Sequence, residues 1–324
     1  MKTSQKIIDY IAKNRQASGK QLSDYLYEIT PRAIRKQLKN LLEKGYLKKI
    51  GRPPKVYYLL ATREKITQAI NLDHKLLHII NERYLFISPT GEIRNGLEGF
   101  IAWCKKTKQD PIKTAHEYIA TLKKFDHLKK KNLIDGMPKM KRSFKHVFLD
   151  KLFYLDFYSI ERFGKTKLGQ MLLYAKQSQN TTLIRELIRE IRPKIHMIIT
   201  QYSINGVLFI PPTVKRDVQF MKVLEEQLQL PARVLSVTKV KTEIIVPQKT
   251  LSKLEDRIEN AKKTIIVDET RKYKNILLID DAVGSGATLN ETAKQIKNKK
   301  LVSGNIIGLA ITGSFKGFDV ISEV

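Results

Sequence analysis

One stretch of the sequence decides the fold: NILLIDDAVGSGATL, which runs from Asn275 to Leu289. Four consecutive apolar residues, Ile276 to Ile279, are followed by two aspartates and then by small residues. A short unbroken apolar run that is closed by acids and glycines is typical of a buried parallel strand ending at a loop. The sequence therefore predicts a strand over Asn275 to Ile279 with a loop directly after it.

A helix is predicted after this loop. Thr288 and Glu291 stand three residues apart at the start of the next segment, so we expect them to form a capping box. The main-chain amides of the loop would then line a concavity at the positive end of the helix dipole, which suits a phosphate. Glycine lets a ligand come close, since it has no Cβ. The predicted phosphate-binding residues are Gly284, Ser285, Gly286, Ala287 and Thr288.

Two aspartates, Asp280 and Asp281, stand just before this loop. They are placed to accept hydrogen bonds from the two hydroxyls of a ribose whose 5-phosphate lies in the loop. Acids beside a phosphate site would repel a bare anion, so a polyol accompanied by a divalent cation explains them better. We expect Mg²⁺ to arrive with this ligand, and we expect no dedicated metal site in the protein.

The whole stretch resembles the phosphoribosyl pyrophosphate (PRPP) signature of the type I phosphoribosyltransferases. The resemblance implies an α/β fold, with a parallel sheet flanked by helices, and a site for PRPP or a related ribose phosphate. Two other phosphate-binding motifs do not fit. No Gly-Lys-Ser/Thr follows the glycines as in a Walker loop, and the GxGxxG spacing of a dinucleotide fold is absent from the stretch.

Composition points to a polyanionic partner. The 324 residues include 60 Lys and Arg against 32 Asp and Glu, a formal net charge of +28. Nucleic acid is the first candidate partner and an anionic membrane surface the second. The single cysteine, Cys104, excludes an internal disulfide and a cysteine-based zinc site. We find no signal segment and no apolar run that could cross a bilayer, so we expect a cytoplasmic protein. Of the two polyanions we choose nucleic acid as the partner and expect no membrane partner.

Residues 1 to 60 are predicted to form a domain of their own. Apolar spacing indicates two helices, and Thr30-Pro31 then provides a cap and a first-turn proline for a third. Tyr46 to Ile50 would pair with Val56 to Leu60 in a hairpin. Three helices and a hairpin with a basic tip resemble a winged helix-turn-helix, a family in which the third helix enters the major groove of DNA.

The charge of this segment agrees with DNA binding, since residues 1 to 60 carry fourteen Lys and Arg against four Asp and Glu. The alternative is a winged helix that serves only as a protein-binding or dimerising module, with its charges in solvent. The predicted DNA-binding residues are Arg32, Arg35, Lys36 and Lys39 on the third helix and Arg52 and Lys55 at the hairpin tip.

Residues 61 to 155 are predicted to form a helical connector. Asp110-Pro111 is a cap and first-turn proline for a helix that runs to about Phe125. His74 and His78 are four residues apart, but without a third ligand nearby we interpret them as solvated or packed. The basic stretch from Lys129 to Lys145 is interpreted as a loop-like linker.

Residues 156 to 324 are predicted to form the phosphoribosyltransferase-like domain. Gly206 to Ile210 is predicted to be a buried strand, and the resemblance implies that the loop after it binds pyrophosphate, through Lys215 and Arg216. The resemblance also implies that the polar segment from Thr238 to Lys263 is the mobile flap of the fold. The other strands predicted for the parallel sheet are Val234 to Val237, Thr264 to Val267 and Asn305 to Ile311.

The order of parts is similar to the ComF family of phosphoribosyltransferase-like proteins, which are associated with DNA uptake. The cues are Ile210-Pro211-Pro212 with Arg216, followed by Gln248, Leu251, Arg257 and Asn260. Members of that family commonly begin with a cysteine zinc ribbon, whereas this chain begins with the winged-helix pattern. A winged helix fused to this fold also resembles the purine-repressor type of regulator, in which the transferase domain senses PRPP without catalysis.

Three functions remain open at this point. The first is a DNA-binding regulator that responds to PRPP, and the second is an active phosphoribosyltransferase tethered to DNA or to a partner. The third is a ComF-like accessory of DNA uptake or repair. Salvage of hypoxanthine or guanine is disfavoured. The phosphoribosyltransferases of that type carry an aspartate acid/base at the first loop position, and this sequence has Gly284 at the position that resembles it. Catalytic residues and the acceptor are not assigned; Phe315 or Phe318 could stack on a base. DNA and PRPP are the expected partners, with a homodimer as one option.

Overall fold

The computed structural model describes residues 2–61, 72–212, 216–240, 243, 246 and 250–314. The chain divides into two compact units, Met1–Ala69 and Ile70–Val324. The predicted boundary between residues 155 and 156 falls inside a strand, Lys151–Phe157, so the structure places no division there. No helix among the described residues is both long and apolar enough to span a bilayer.

The first unit contains the three predicted helices and the predicted hairpin. Its elements are α1 (Thr3–Asn14), β1 (Ala17–Ser18), α2 (Gly19–Tyr25), α3 (Pro31–Glu43), β2 (Leu47–Arg52) and β3 (Lys55–Leu60). Three of the described strands form an antiparallel sheet in the order β1-β3-β2. The predicted cap is confirmed, because the Thr30 hydroxyl accepts a hydrogen bond from the amide of Ala33 at 3.3 Å.

Two features hold this unit in shape. The helices bury one apolar face each, and Ile7, Ile11, Ile34 and Leu38 are among the residues that form its core. At the hairpin tip Gly51 has φ +81, and a Cβ on it would overlap the carbonyl oxygen of Lys55. Glycine is therefore required there on two grounds, the left-handed backbone and the close approach of the opposite strand.

The second unit begins with a mixed region. Its elements are α4 (His74–Arg83), β4 (Leu85–Ile87), β5 (Ile93–Asn95), α5 (Gly96–Lys106), α6 (Pro111–Asp126), β6 (Lys129–Lys130), β7 (Leu133–Asp135) and α7 (Met137–Ser143). The cap predicted for α6 is confirmed, since the carboxylate of Asp110 accepts a hydrogen bond from the amide of Lys113 at 2.7 Å. The helix ends one residue after the predicted Phe125.

The interpretation of Lys129 to Lys145 as a loop is wrong. The segment forms the hairpin β6–β7 and then α7, and β7 pairs antiparallel with the strand that follows. The turn residues Lys131 and Asn132 both have positive φ, 51° and 61°, as a two-residue hairpin turn requires. The segment predicted as a helical connector therefore supplies edge strands to the main sheet.

The rest of the second unit builds that sheet. Its elements are β8 (Lys151–Phe157), a 3-10 turn (Glu161–Phe163), α8 (Lys167–Ser178), α9 (Thr181–Gln201), β9 (Gly206–Phe209), α10 (Phe220–Leu228), β10 (Arg233–Val234), β11 (Val237–Lys239), α11 (Leu254–Thr264), β12 (Ile265–Val267), β13 (Ile276–Val283), α12 (Ala287–Asn298) and β14 (Ile306–Gly313).

Seven of the described strands form one mostly parallel sheet in the order β10-β9-β13-β14-β8-β7-β6. One apolar core lies between the sheet and α8, α9 and α10, and a second lies on the opposite face under α5, α6 and α12. Strand β13 is buried on both faces by this arrangement, which explains its unbroken apolar run. The expected α/β architecture is therefore observed.

Two of the predicted strands differ from the structure. Ile265–Val267 does not join the parallel sheet but pairs antiparallel with Val237–Lys239 in a separate two-stranded sheet. Thr264 ends the preceding helix, and the predicted strand from Val234 to Val237 is divided between two sheets. A short apolar run indicates a strand but carries no information about its partner.

The order of strands reverses between β9 and β13. Helix α10 follows β9 on one face of the sheet and leads outward to β10, whereas α12 follows β13 on the other face and leads to β14 in the opposite direction. Such a reversal of strand order is the place where an open α/β sheet forms a crevice, which here corresponds to the carboxyl ends of β9 and β13. In open α/β sheets, ligands bind in such a crevice.

Candidate functional site

The loop from Gly284 to Gly286 lies at this crevice and leads into α12. Gly286 is the N-cap residue with φ +82, and the helix begins at Ala287. The predicted capping box is wrong, because Thr288 is the second residue of the helix and its side chain does not cap it. The hydroxyl of Ser285 accepts a hydrogen bond from the amide of Ala287 at 3.3 Å instead. Glu291 accepts from Gln295 at 3.4 Å.

The two loop glycines have different surroundings. A Cβ on Gly286 would overlap the sulfur of Met140, which lies in α7 and is almost fully buried. A Cβ on Gly284 would lie 3.4 Å from Nη1 of Arg257, an ordinary contact distance. Gly286 is therefore required by the fold itself. Gly284 is the position where the absence of a side chain leaves room above the loop.

The amide groups of the first helical turn, from Ala287 to Leu289, have no acceptor within their own helix, as at every helix N-terminus. Behind the loop, Asn290 anchors the turn. Its side-chain oxygen accepts from the amide of Phe148 at 2.8 Å, and its side-chain nitrogen donates to the carbonyl of His146 at 3.0 Å. These bonds hold α12 against residues 146–148, so the first turn is supported by a buried side chain.

Asp280 and Asp281 belong to β13, which extends to Val283 and not only to the predicted Ile279. The register pairs Asp280 with Ala310 of β14. One carboxylate oxygen of Asp280 accepts a hydrogen bond from the amide of Asp281 at 2.8 Å. Burial and the neighbouring charge of Asp281 raise the pKa of Asp280 well above its usual range. Neutralising partners are therefore needed if both acids are to be ionised together.

Two lysines partly offset these negative charges, and one of them, Lys239, belongs to the segment predicted as a flap. The ammonium group of Lys176, in the last turn of α8, lies 2.5 Å from a carboxylate oxygen of Asp281. Lys239, at the end of β11, interacts electrostatically with both Asp280 and Asp281, while burial lowers the pKa of Lys239. Since Lys239 acts on both carboxylates, the two acids share one electrostatic environment.

Arg216 lies beside this group. Its Nη1 donates a hydrogen bond to the main-chain carbonyl of Lys176, and its Nη2 donates to the side chain of Gln177 at 3.5 Å. The guanidinium group therefore contacts the carboxyl-terminal end of α8, where main-chain carbonyls lack helical partners. Lys215, the other predicted pyrophosphate-binding residue, lies outside the described residues.

Arg257 and Asn260, in α11, come from the segment predicted as a flap. Arg257 is 4% exposed, and its Nε donates to the carbonyl of Leu251 at 2.8 Å. Burial lowers the pKa of Arg257. Asn260 donates to the carbonyl of Val246 at 3.4 Å. Part of the predicted flap, including Gln248, lies outside the described residues.

The predicted DNA-binding side chains lie at the surface of the first unit. Four of them follow the outer side of α3 and two lie at the β2–β3 tip, and all are exposed: Arg32, Arg35, Lys36, Lys39, Arg52 and Lys55. Lys39 lies 3.8 Å from Glu43 with both side chains largely in solvent, a geometry that contributes little stability. Arg35 donates to the carbonyl of Pro31 at 3.3 Å.

Other candidates fall outside the crevice. His78 lies 3.4 Å from Glu82 on the surface of α4. Within the described ranges, no group of three or more His, Cys, Asp or Glu side chains is arranged to hold a metal ion. Phe315 and Phe318, the two aromatic candidates for base stacking, lie beyond the last described residue, Ser314.

No protein-family model matches the chain, and no curated protein matches it either. The likeness to phosphoribosyltransferases and to winged helices therefore rests on the residues of this chain and on their arrangement.

Proposed function

We propose that the chain is a DNA-binding regulator whose second unit has a type I phosphoribosyltransferase fold and binds PRPP or a related ribose phosphate. One observation carries this proposal. The acid pair and the glycine loop follow each other at the carboxyl end of β13, beside the point where the strand order reverses. That is the place where an open α/β sheet binds a ligand.

Each part of the ligand has a partner in the crevice. The 5-phosphate would accept hydrogen bonds from the amides at the start of α12, at the positive end of the helix dipole. The ribose hydroxyls would donate to the carboxylates of Asp280 and Asp281. Arg216, at the end of α8, stands beside Lys176 for the pyrophosphate. Mg²⁺ would come with the pyrophosphate, and carboxylate oxygens are ligands that this ion accepts.

The first unit supports the DNA-binding part of the proposal. Its order of helices and strands, with the sheet order β1-β3-β2, agrees with a winged helix-turn-helix. The exposed cations on α3 would then contact the major groove, and Arg52 and Lys55 at the hairpin tip would contact the backbone. A ligand in the second unit would act as a signal if it bound the DNA-competent and DNA-incompetent states with different affinity.

Calorimetric titration of the full chain with PRPP and Mg²⁺ tests the ligand. We expect Asp280→Asn with Asp281→Asn to weaken PRPP binding by about 100-fold or more, because two charge-assisted hydrogen bonds are lost. The matched control is Glu225→Gln with Glu226→Gln, a neighbouring pair of exposed acids in α10. Equal affinity of the two double variants for PRPP would contradict the assignment of the acid pair.

Fluorescence anisotropy with labelled duplex DNA tests the DNA-binding part of the proposal. Arg35→Ala with Lys39→Ala should weaken DNA binding about tenfold or more, since both exposed cations lie on α3. Lys13→Ala with Lys20→Ala, which removes two exposed cations from α1 and α2, is the control. If PRPP leaves the affinity of the wild-type chain for every duplex in a random library unchanged, the regulatory role fails even where both ligands bind.

A second candidate is active phosphoribosyl transfer. The observation that favours it is the position of Lys239 and Arg257, two cations of the predicted flap, next to the acid pair and to Gly284 respectively. Such groups could shield the anomeric carbon from water during transfer. Release of pyrophosphate from PRPP with any member of a panel of bases and amines would favour the enzyme over the sensor. Preference for single-stranded over duplex DNA would instead favour a ComF-like accessory.

A further inference from the structure

More than half of the excess positive charge of the chain lies in the second unit. Residues 70 to 324 carry 44 Lys and Arg against 27 Asp and Glu, an excess of 17 out of the formal net charge of +28. The segment from Lys129 to Lys145 alone holds seven Lys and Arg against one acid, Asp135. The cations of α3 and of the β2–β3 tip therefore leave a separate basic region without a role.

This basic segment is held in place by contacts with the sheet and with the glycine loop. Met140 is 1% exposed, and its sulfur packs against Gly286. The ammonium group of Lys139 donates a hydrogen bond to the hydroxyl of Ser314, at the end of β14, over 3.3 Å. Phe144, the C-cap residue of α7, is buried. Helix α7 is therefore fixed, and so are the positions from which its outward side chains project.

Three cations project from this segment into solvent. Lys141 and Arg142 are exposed in α7, and Lys145 is exposed directly after it. Within the part of the chain that the structure describes, no carboxylate lies within ion-pair distance of these three side chains. Lys129, by contrast, is bound to Asp156 at 2.9 Å. We call the three exposed cations the α7 surface.

The chemistry of the α7 surface favours one kind of partner. Exposed cations close together repel one another, and a polyanion removes that repulsion. No large apolar side chain is exposed from residue 129 to residue 148. The surface therefore lacks the apolar anchor typical of a protein interface and the apolar face that a membrane-surface helix inserts. A phosphodiester backbone, whose binding is mainly electrostatic, fits it better.

We infer that Lys141, Arg142 and Lys145 form a second DNA-binding surface, which lies on the second unit and contacts phosphates of the backbone. The inference rests on the proposed DNA binding of the chain. Arginine can bind a phosphate through two parallel N–H groups, whereas lysine acts as a point charge. Phosphate contacts carry no sequence information, so this surface raises the affinity for every duplex and leaves sequence selection to the first unit.

Anisotropy titrations of the full chain with labelled duplex DNA, at several salt concentrations, test this surface. The triple variant Lys141→Gln, Arg142→Gln and Lys145→Gln removes three charges, and glutamine has nearly the same helix propensity as Lys and Arg. The slope of log affinity against log salt concentration should become shallower by about 2–3 units, and the affinity at low salt should fall about tenfold or more. Arg142→Lys keeps the charge and should retain the wild-type slope.

The matched control is the triple variant Arg185→Gln, Lys222→Gln and Lys262→Gln. It also removes one exposed arginine and two exposed lysines, from α9, α10 and α11. Because the two triple variants have the same net charge, a difference between them reports the position of the cations. The control should leave the slope unchanged.

The outcomes separate this surface from the winged helix. Equal affinity and equal slope for the two triple variants would overturn the inference. Loss of sedimentation with phosphatidylserine vesicles at unchanged DNA affinity would also overturn it, because the partner would then be a membrane. If Arg35→Ala with Lys39→Ala retains wild-type affinity while the α7 triple variant loses it, the α7 surface stands and the winged-helix assignment fails.

Two further results complete the test. If the wild-type chain binds no duplex DNA, the α7 surface and the proposed DNA binding both fail. If circular dichroism shows that the α7 triple variant does not fold, Lys141→Gln with Lys145→Gln replaces it, and Lys222→Gln with Lys262→Gln becomes the control. The slope should then become shallower by about 2 units in the α7 double variant alone.

Discussion

Substitution of the two loop glycines separates the requirements of the fold from those of the ligand. Gly286 has φ +82, and a Cβ there would overlap the sulfur of Met140. Alanine in the left-handed region costs about 1–2 kcal/mol. Forcing a well-packed side chain aside costs about 1–3 kcal/mol more. Gly286→Ala should therefore lower the free energy of unfolding by about 2–5 kcal/mol.

Two control variants separate the backbone cost of Gly286→Ala from its packing cost. Gly91 has φ +81 with nothing within 4 Å of its Cβ position, so Gly91→Ala reports the cost of the backbone conformation alone. Gly284 lies outside the left-handed region, and its Cβ would meet Arg257 at 3.4 Å. Gly284→Ala should therefore change stability by less than about 1 kcal/mol. It should nevertheless weaken PRPP binding, because the methyl group would occupy the space above the loop.

The assay is urea denaturation monitored by circular dichroism. The unfolding free energy in water, extrapolated from its urea dependence, is compared among the variants. Met140→Ala removes the overlapping sulfur, so the double variant Met140→Ala with Gly286→Ala should be more stable than the sum of the single changes predicts. If Gly286→Ala costs no more than Gly91→Ala, or if the double variant shows no coupling, the packing of Met140 against the loop does not limit this position.

Three further changes address the site and its supports. Asn290→Ala should lower the free energy of unfolding, measured by urea denaturation, by about 2–3 kcal/mol, because the amide of Phe148 and the carbonyl of His146 lose their partner. A loss below about 0.5 kcal/mol, which is typical of a surface substitution, would contradict this role. Thr30→Ala should cost about 1 kcal/mol through loss of the cap of α3, whereas Thr30→Ser should be nearly neutral. The raised pKa of Asp280 means that the folded protein keeps a proton that the unfolded chain releases near pH 4. The contribution of Asp280 to stability therefore falls as the pH rises from about 4 through the folded pKa, and Asp280→Asn should remove this decline. Parallel profiles of unfolding free energy against pH for the wild-type protein and Asp280→Asn would contradict this prediction.

Local signals in the sequence predicted several elements correctly. The caps at Thr30 and Asp110 mark the starts of α3 and α6, and the tip from Gly51 to Lys55 marks the hairpin. The run from Ile276 to Ile279 predicts a buried strand followed by a loop and a helix, and all three are present. Each of these features depends on residues within a few positions of one another, so it can be predicted without knowledge of the fold.

Competition between neighbouring signals explains one error. Thr288 and Glu291 match a capping box, but Gly286 adopts the left-handed conformation two residues earlier and the helix starts at Ala287. Packing of Met140 against Gly286 favours this earlier start, and Met140 belongs to a segment for which the sequence predicts a loop. The local pattern could not reveal a contact made by a distant helix.

The sequence by itself determined the strand, the acid pair and the glycine loop, because these are contiguous and their chemistry is local. Only the tertiary structure decided what faces them. Lys176, Lys239 and Arg257 come from three different elements, α8, β11 and α11, and no local pattern distinguishes Lys176 from other lysines of the chain. The same limit applies to Ile265–Val267, whose partner strand is β11 and not the main sheet. Pairing of distant segments depends on how whole layers pack, so the identity of a partner is a property of the fold and not of the residues next to it.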